Sequence, residues 1–249
     1  MIVLEHSPAR TFLEGLAGLL PAPPAAIIVF SAHHDEPVVA ITAAPQPATI
    51  HDFGGFPKAL YQMRYPASGQ PALAHCIADL LDRSGIAHRI DPVRGLDHGA
   101  WTPLMLAWPD AAIPVVQVSI DTRQTPERHY RLGQALAPLR DDNILLLGSG
   151  AMTHNLHAFF RGGFAVDAPV EAWVTAFVDW LDDRLNAGDA AAVKQLAEQA
   201  PHGRENHPTM DHILPLFVAM GAGGVAPKAS KLHASIDHAV LAMDAWRFD

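Results

Sequence analysis

The stretch from Ala25 to Pro37 reads AAIIVFSAHHDEP and carries the strongest strand signal of the chain. Residues 27–31 are mostly β-branched or aromatic and show no polar alternation, which is typical of a strand buried on both faces of a parallel sheet. The apolar run stops just before His33. Because ligands bind beyond the carboxyl ends of strands in open α/β sheets, we expect this histidine at the functional edge of the sheet.

Three other apolar runs also lead to polar side chains. Residues 2–4 precede His6, residues 115–120 precede Asp121, and residues 144–147 open into a Gly-Ser-Gly loop followed by His154. A lone histidine after a strand is usually a loop residue, but its repetition after several strands favours a functional site. Helical patterns over residues 8–20, 71–83 and 126–139 alternate with the strands. The pattern predicts an α/β fold, a single domain over residues 1–249 with a central mostly parallel or mixed sheet flanked by helices.

The composition narrows the functional classes. The formal net charge of −9, with no Lys/Arg cluster, argues against a nucleic-acid partner. No apolar stretch approaches the roughly 18 residues that span a bilayer, so we expect no membrane partner and a cytoplasmic protein. The single cysteine, Cys76, lies in a helical pattern, where we expect it to pack in the core. The 15 histidines are a high share, and imidazole is the commonest side-chain metal ligand.

The candidate site residues lie next to strand ends, glycine loops or a helix start: His6, His33, His34, His51, Asp52, His98, His154, His207 and His212. The chain has no HExxH, CxxC, GxGxxG or GxSxG pattern, which argues against zincin, zinc-ribbon, dinucleotide-binding and serine-hydrolase readings. Three imidazole or carboxylate ligands with open positions suit Fe(II) for oxygen chemistry or Zn(II) for hydrolysis. A zinc-dependent hydrolase and a non-catalytic metal-binding or interaction protein therefore stay open as alternatives.

Six motifs resemble one family in order along nearly the whole chain. They are Ser31-Ala32-His33, residues 50–57 (IHDFGGFP), Tyr61 with residues 64–67 (RYPA), residues 95–101 (GLDHGAW), residues 148–156 (GSGAMTHNL) and residues 208–215 (PTMDHILP). Together they are similar to the class III extradiol ring-cleavage dioxygenases of the DOPA-dioxygenase type. The resemblance implies a non-haem metal enzyme that cleaves a catechol with dioxygen, with Fe(II) as the metal and Zn(II) as the alternative. A homo-oligomer stays open, because the sequence does not determine the oligomeric state.

The resemblance also implies roles for single residues. His33, His212 and His6 would be metal ligands, and His154 would be the acid–base residue or an additional ligand. The substrate side would be formed by His98, which also stabilises charge, together with His51 and Asp52.

The first ligand departs from the family pattern. The family usually has His-Gly-Ser-Pro after its first strand, whereas this chain has Glu5-His6-Ser7-Pro8, and His34 stands where an aromatic residue often follows the strand-end histidine. If residues 2–4 form a strand parallel to that of His33, His6 reaches the same edge, whereas side-chain alternation turns His34 away from His33. We therefore expect His6 as the ligand, with His34 as the alternative.

Overall fold

A computed structural model describes residues 2–249, which divide into two compact units. Unit 1 comprises the chain up to Arg123 together with residues 135–149, and unit 2 comprises residues 124–134 and 150–249. The strands of unit 1 are β1 (Ala26–Asp35), β2 (Val39–Thr42), β3 (His88–Asp91), β4 (Val115–Ile120) and β5 (Ile144–Ser149). Its helices are α1 (Pro8–Gly15), α2 (Lys58–Gln62), α3 (Pro71–Arg83) and α4 (His98–Ala107).

The five strands form one mixed sheet in the order β3-β2-β4-β1-β5. β1 runs parallel to both of its neighbours, with Ile27 opposite Val115 and Leu145, whereas β2 is antiparallel to β4 and parallel to β3. α3 packs against β2 and β4, and α4 packs against β1 and β5. The predicted α/β fold with a central mixed sheet and flanking helices is therefore confirmed.

β1 occupies an interior position in this sheet because its side chains are apolar on both faces. Residues 26–30 are fully buried, in keeping with the absence of polar alternation. Toward the carboxyl end the strand becomes polar, and His33 is half-buried while the adjacent His34 is fully buried. The sheet therefore presents one of these two histidines at its edge and buries the other, as side-chain alternation predicts.

Two local predictions for unit 1 are wrong, and one helix was not predicted. Residues 2–4 form a turn, not a strand, since no neighbouring strand pairs with this short run among residues 2–249. Cys76 lies on the exposed side of α3 and does not pack in the core. The sequence pattern also gave no signal for α4, because its apolar residues run through most of the helix without a helical period and include Pro103.

Unit 2 is mostly helical. Its helices are most of α5 (Pro126–Leu136), α6 (Leu156–Gly162), α7 (Ala172–Asn186), α8 (Ala190–Val193), α9 (Leu196–Gln199), α10 (Gly203–Asn206) and α11 (Leu214–Ala222). Two small antiparallel sheets follow, which pair β6 (Ala229–His233) with β9 (Ala245–Phe248) and β7 (Ile236–Asp237) with β8 (Leu241–Ala242). Within residues 2–249, no helix combines the length and the apolar character that a membrane crossing requires.

Candidate active site and metal-binding groups

Unit 1 brings together His33, Asp52 and His98, which we call the Asp52 group. The candidate ligand atoms of the three side chains all lie within 4.8 Å of one another. Nδ1 of His98 lies 2.9 Å from Oδ1 of Asp52, and Nδ1 of His33 lies 3.8 Å from Oδ2. The two imidazole rings are 3.9 Å apart between centroids and tilted by 44°. One carboxylate therefore lies beside two histidines that come from distant parts of the chain.

The loop that carries Asp52 is held to the start of α4 by backbone pairing. The backbone N–H of Ile50 donates to the carbonyl of Leu96, and the backbone N–H of Leu96 donates to the carbonyl of Ala48. A Cβ at position 95 would collide with that carbonyl, so Gly95 is required for the close approach. The backbone N–H of His98 then donates to Oδ1 of Asp52 at 2.9 Å.

The electrostatics of this group favour an ionised Asp52. Burial alone would raise the pKa of Asp52, but the ring and backbone N–H groups of His98 outweigh it and lower the pKa to about 2. An ionised carboxylate only accepts hydrogen bonds, so the 2.9 Å approach of Oδ1 to Nδ1 of His98 favours the tautomer with its proton on Nδ1. Nε2 of His98 is then the ring nitrogen with a lone pair.

Unit 2 brings together His154, Asp211 and His212, the Asp211 group, whose candidate ligand atoms also lie within 4.8 Å of one another. The rings of His154 and His212 are stacked, with centroids 3.4 Å apart and planes at 11°. Nδ1 of His212 lies 2.5 Å from Oδ2 of Asp211. Here the carboxylate directly precedes one of its histidines in the chain.

Backbone contacts hold the two segments of the Asp211 group together. The N–H of His154 donates to the carbonyl of Asn206 at 3.0 Å, and the N–H of Ala151 donates to the carbonyl of His212 at 2.9 Å. A Cβ at position 150 would collide with the same carbonyl, which explains the glycine before Ala151. His212 itself lies in the turn of residues 211–213, directly before α11 begins at Leu214.

Asp211 is also ionised. Burial would raise the pKa of Asp211, but hydrogen bonds from His212 and Thr209 and the nearby histidine rings hold it well below its usual range. The anionic carboxylate therefore takes the proton-bearing Nδ1 of His212 and leaves Nε2 as the nitrogen that can bind a metal.

The remaining predicted residues lie outside both groups. His6 is exposed in the segment before α1, and it belongs to neither metal-capable group of the described chain. His51 packs near Phe53 and Trp101, with Nε2 3.1 Å from the carbonyl of Met63. His34 and His207 are buried, and burial lowers the pKa of His34 to about 3 and that of His207 to about 4.

The donor set fits a divalent transition metal. Each group offers imidazole nitrogens with a carboxylate beside them, and these side chains suit non-haem Fe(II) as well as Zn(II). The sequence analysis did not identify Asp211 as a site residue. The signal that could have found it is its position directly before His212 within a motif already singled out.

Comparison with known proteins shows which proteins this chain is similar to. The family model described as the catalytic LigB subunit of aromatic ring-opening dioxygenase matches residues 10–243. The 4,5-DOPA dioxygenase extradiol of Beta vulgaris is 40% identical over all of this chain and 92% of that protein. The protein of the same description from Escherichia coli K12 is 39% identical over 89% of this chain and 81% of its own length.

A solved structure is similar over almost the same extent. It is that of an uncharacterized protein from Escherichia coli K12, with a TM-score of 0.76, 30% sequence identity, and coverage of 97% of this chain and 92% of that one. All residues of both His–Asp–His groups lie within the region that the family model matches.

Proposed function

Because this chain belongs to the family of catalytic LigB subunits of aromatic ring-opening dioxygenases, we propose that its two His–Asp–His groups supply the residues that act on the substrate. The chain is an extradiol dioxygenase that cleaves a catechol. Both atoms of dioxygen enter the product, and the ring C–C bond next to the diol breaks. The observation that carries the residue assignment is that two histidines lie around one carboxylate in each unit.

For the metal, we propose His33 and His212 as ligands and Fe(II) as the ion. The contact of Asp211 with Nδ1 of His212 supports this role, because a carboxylate on the far nitrogen fixes the ring and raises the basicity of Nε2. Fe(II) is favoured over Zn(II) because zinc has no redox chemistry with which to activate dioxygen. When bound, Fe(II) supplies positions at which both catechol oxygens and dioxygen are held. His6 stays the proposed third ligand, on the family resemblance alone.

For proton transfer, we propose His154 as the acid–base residue and His98 as the residue that stabilises negative charge. A histidine side chain can accept a hydroxyl proton of the catechol and return it later in the reaction. Asp52 holds the proton of His98 on Nδ1, so Nε2 accepts a hydrogen bond from a catechol hydroxyl unless the ring is protonated. Protonation of His98 beside the anionic Asp52 would supply the charge that stabilises an oxyanion.

For the substrate, we propose a catechol that bears an amino-acid side chain, with DOPA as the first compound to test. The named relatives are 4,5-DOPA dioxygenases. Next to His98 the described residues present an aromatic wall in which Phe53 packs edge-on against the ring of His98 at 5.4 Å and against Tyr61. Flat apolar rings of this kind suit the faces of a catechol. We place His51 and Asp52 on this substrate side.

The experiment is a catechol panel with purified protein loaded anaerobically with Fe(II). We expect DOPA or a related catechol to give a yellow semialdehyde product with the uptake of one dioxygen per ring cleaved. Zn(II)-loaded protein is the matched control, and it should bind metal without turning over. Absence of ring cleavage with every catechol in the Fe(II)-loaded protein would contradict the assignment.

We further propose that residues 1–249 act as one catalytic domain, since the family match extends from residue 10 to residue 243. A cytoplasmic location is supported by the presence of a single cysteine, which fits a reducing compartment. A homo-oligomer stays a prediction.

A further inference from the structure

A buried carboxylate lies directly behind the Asp52 group. Asp97 is 0% exposed, and four donors point at its two oxygens. Oδ1 accepts hydrogen bonds from Ser31 Oγ at 2.6 Å and from the backbone N–H of Ala100 at 3.2 Å. Oδ2 accepts from Nε2 of Gln117 and from Nη2 of Arg94 at 3.3 Å. A set of donors with no acceptor identifies the side chain as an ionised carboxylate, which is costly to bury unless it is satisfied in this way.

The bonds of Asp97 extend to the backbone of His33 on both sides. Ser31 has one hydroxyl proton and gives it to Asp97, so a lone pair of the same oxygen accepts the backbone N–H of His33 at 3.1 Å. Arg94 uses one nitrogen, Nη2, for both Oδ2 of Asp97 and the carbonyl of His33 at 3.4 Å. The carboxylate thus orients the two groups that hold the peptide units before and after the proposed metal ligand.

The same carboxylate fixes the start of the helix that carries His98. Asp97 is the N-cap of α4, whose first residue is His98. A Cβ at Gly99 would collide with Oγ of Ser31 and would lie 3.1 Å from Cδ2 of His33, so the first turn of α4 rests directly on the end of β1. Asp97 therefore couples the placement of both histidines of the Asp52 group.

An ordinary helix cap does not explain these contacts. Asp189 caps α8 by accepting the backbone N–H of Ala192 at 3.0 Å, and its remaining recorded partner is the partly exposed Arg184 at 3.5 Å. Asp97 uses a single oxygen for its cap and commits the other to Gln117 and Arg94, both of which come from outside α4.

From these contacts we propose that Asp97 is a positioning residue for ring cleavage, which acts through Ser31 and Arg94 to set the place of His33 relative to His98. The proposal rests on the roles assigned to those two histidines under the proposed function. It adds a residue that touches neither substrate nor metal. Loss of the network should therefore change the metal site and the turnover rate more than it changes substrate binding.

The test compares two pairs of variants of the full-length protein. Ser31→Ala is paired with Ser119→Ala, because Ser119 is another fully buried strand serine, whose Oγ accepts the backbone N–H of Ala40. Asp97→Asn is paired with Asp189→Asn, the cap of α8. Asparagine at position 97 keeps the cap oxygen, and its new N–H can be accepted by Oε1 of Gln117 after an amide rotation, since that oxygen has no hydrogen-bond partner among residues 2–249. The fold should survive.

The readouts are Co(II) affinity, the visible absorption band of bound Co(II), and kcat and KM for the catechol with Fe(II). We expect Ser31→Ala and Asp97→Asn to weaken Co(II) binding by roughly 10- to 100-fold, to shift the absorption band, and to lower kcat more than they raise KM. The double variant should lose less than the product of the two single losses, because both changes break the same link. Ser119→Ala and Asp189→Asn should keep the wild-type band.

A wild-type band, affinity and kcat in Ser31→Ala and Asp97→Asn, with only a lower melting temperature, would overturn the inference. If Asp97→Asn does not fold, Ser31→Ala decides by the same criteria. The Co(II) readouts separate the two proposals, because wild-type protein that binds Co(II) but cleaves no catechol refutes the proposed function and leaves the role of Asp97 to be judged by affinity and absorption. Wild-type protein that binds no Co(II) would overturn both.

Discussion

The Asp52 group and the Asp211 group have the same composition but are built differently. Each contains two histidines and one aspartate with ligand atoms within 4.8 Å of one another. Asp52 comes from a separate loop and lies 2.9 Å from one histidine and 3.8 Å from the other, whereas Asp211 is the chain neighbour of His212 and contacts it at 2.5 Å. Asp52 thus lies beside two histidine rings, whereas Asp211 orients one.

The ring geometry differs in the same sense. His33 and His98 are tilted by 44°, whereas His154 and His212 are stacked at 11°. Two histidines and one aspartate can therefore be arranged either to bind metal or to stabilise charge, and substitutions can separate these roles.

The largest effects are expected from the proposed metal ligands in the two groups. His33→Ala and His212→Ala should each lose most bound metal and all measurable turnover while the fold is kept, because neither ring lies in the apolar core. Metal analysis of the purified variants, with circular dichroism for the fold, is the measurement. Full metal occupancy in either variant would remove that histidine from the ligand set.

The same metal analysis applies to alanine variants of His6 and His34. If His6 is the third ligand, His6→Ala should match His33→Ala in metal loss and His34→Ala should retain metal. The reverse result would transfer the ligand role to His34.

A smaller effect is expected from His154, the partner of His212 in the stacked pair. His154→Gln should retain the metal and bind catechol, yet lose about 10²- to 10⁴-fold in kcat, the range typical of a positioned acid–base residue. Anaerobic catechol titration followed by steady-state kinetics checks both parts. Normal turnover would make the loop structural, whereas loss of metal would make His154 a ligand.

The two carboxylates should differ when each is neutralised. Asp211→Asn should weaken metal binding by about 10- to 100-fold, because an amide holds and polarises the Nδ1–H of His212 less well. Asp52→Asn should lower kcat with a smaller loss of metal, because its close contact is with His98, a proposed charge-stabilising residue and not a ligand. Equal metal loss in the two variants would show that Asp52 and Asp211 do not have these different roles.

How much of these groups the sequence could predict depends on the range of the contacts. His33 was predicted as a site residue from a local signal, the apolar run that ends beside it. In the structure it lies near the carboxyl end of β1, an interior strand of the sheet. The pairing of Asp52 with His98 depends on the backbone bridge between the segments around Thr49 and Leu96, and such long-range pairing has no local pattern. The α/β fold with a central sheet could be predicted because the alternation of strands and helices is visible in local sequence patterns.

The failures have the same cause. The strand over residues 2–4 was predicted from three apolar residues, a run that needs a neighbouring strand to become one and has none among the described residues. The four short strands of residues 229–248 carry two to five residues each, below the length at which alternation can be recognised. No local sequence pattern indicated the network around Asp97, because its members come from three separate segments, around Ser31, Asp97 and Gln117.

The last effect we expect concerns stability and not metal or turnover, and it acts through His207, a buried histidine of unit 2. Burial lowers the pKa of His207 to about 4, and Nε2 of its ring lies 2.8 Å from the carbonyl of Met152, which fits a neutral ring that donates from Nε2. The unfolded chain binds this proton near pH 6.5, so the contribution of the neutral ring is fully present above that pH and is lost as the pH falls toward 4. The full loss corresponds to about 3 kcal/mol of unfolding free energy.

His207→Gln should flatten this part of the pH profile. Glutamine can still donate an N–H to the carbonyl of Met152 but does not titrate, so the unfolding free energy of the variant should fall less than that of wild type between pH 6.5 and pH 4. Urea unfolding at a series of pH values measures the difference, and His75→Gln, at an exposed position on α3, is the control that should keep the wild-type slope. A slope unchanged in His207→Gln would mean that acid destabilisation arises elsewhere. The corresponding variant of unit 1, His34→Gln, would then be the one to flatten it, because burial also lowers the pKa of His34, to about 3, and so places its loss of stability in the same acidic range.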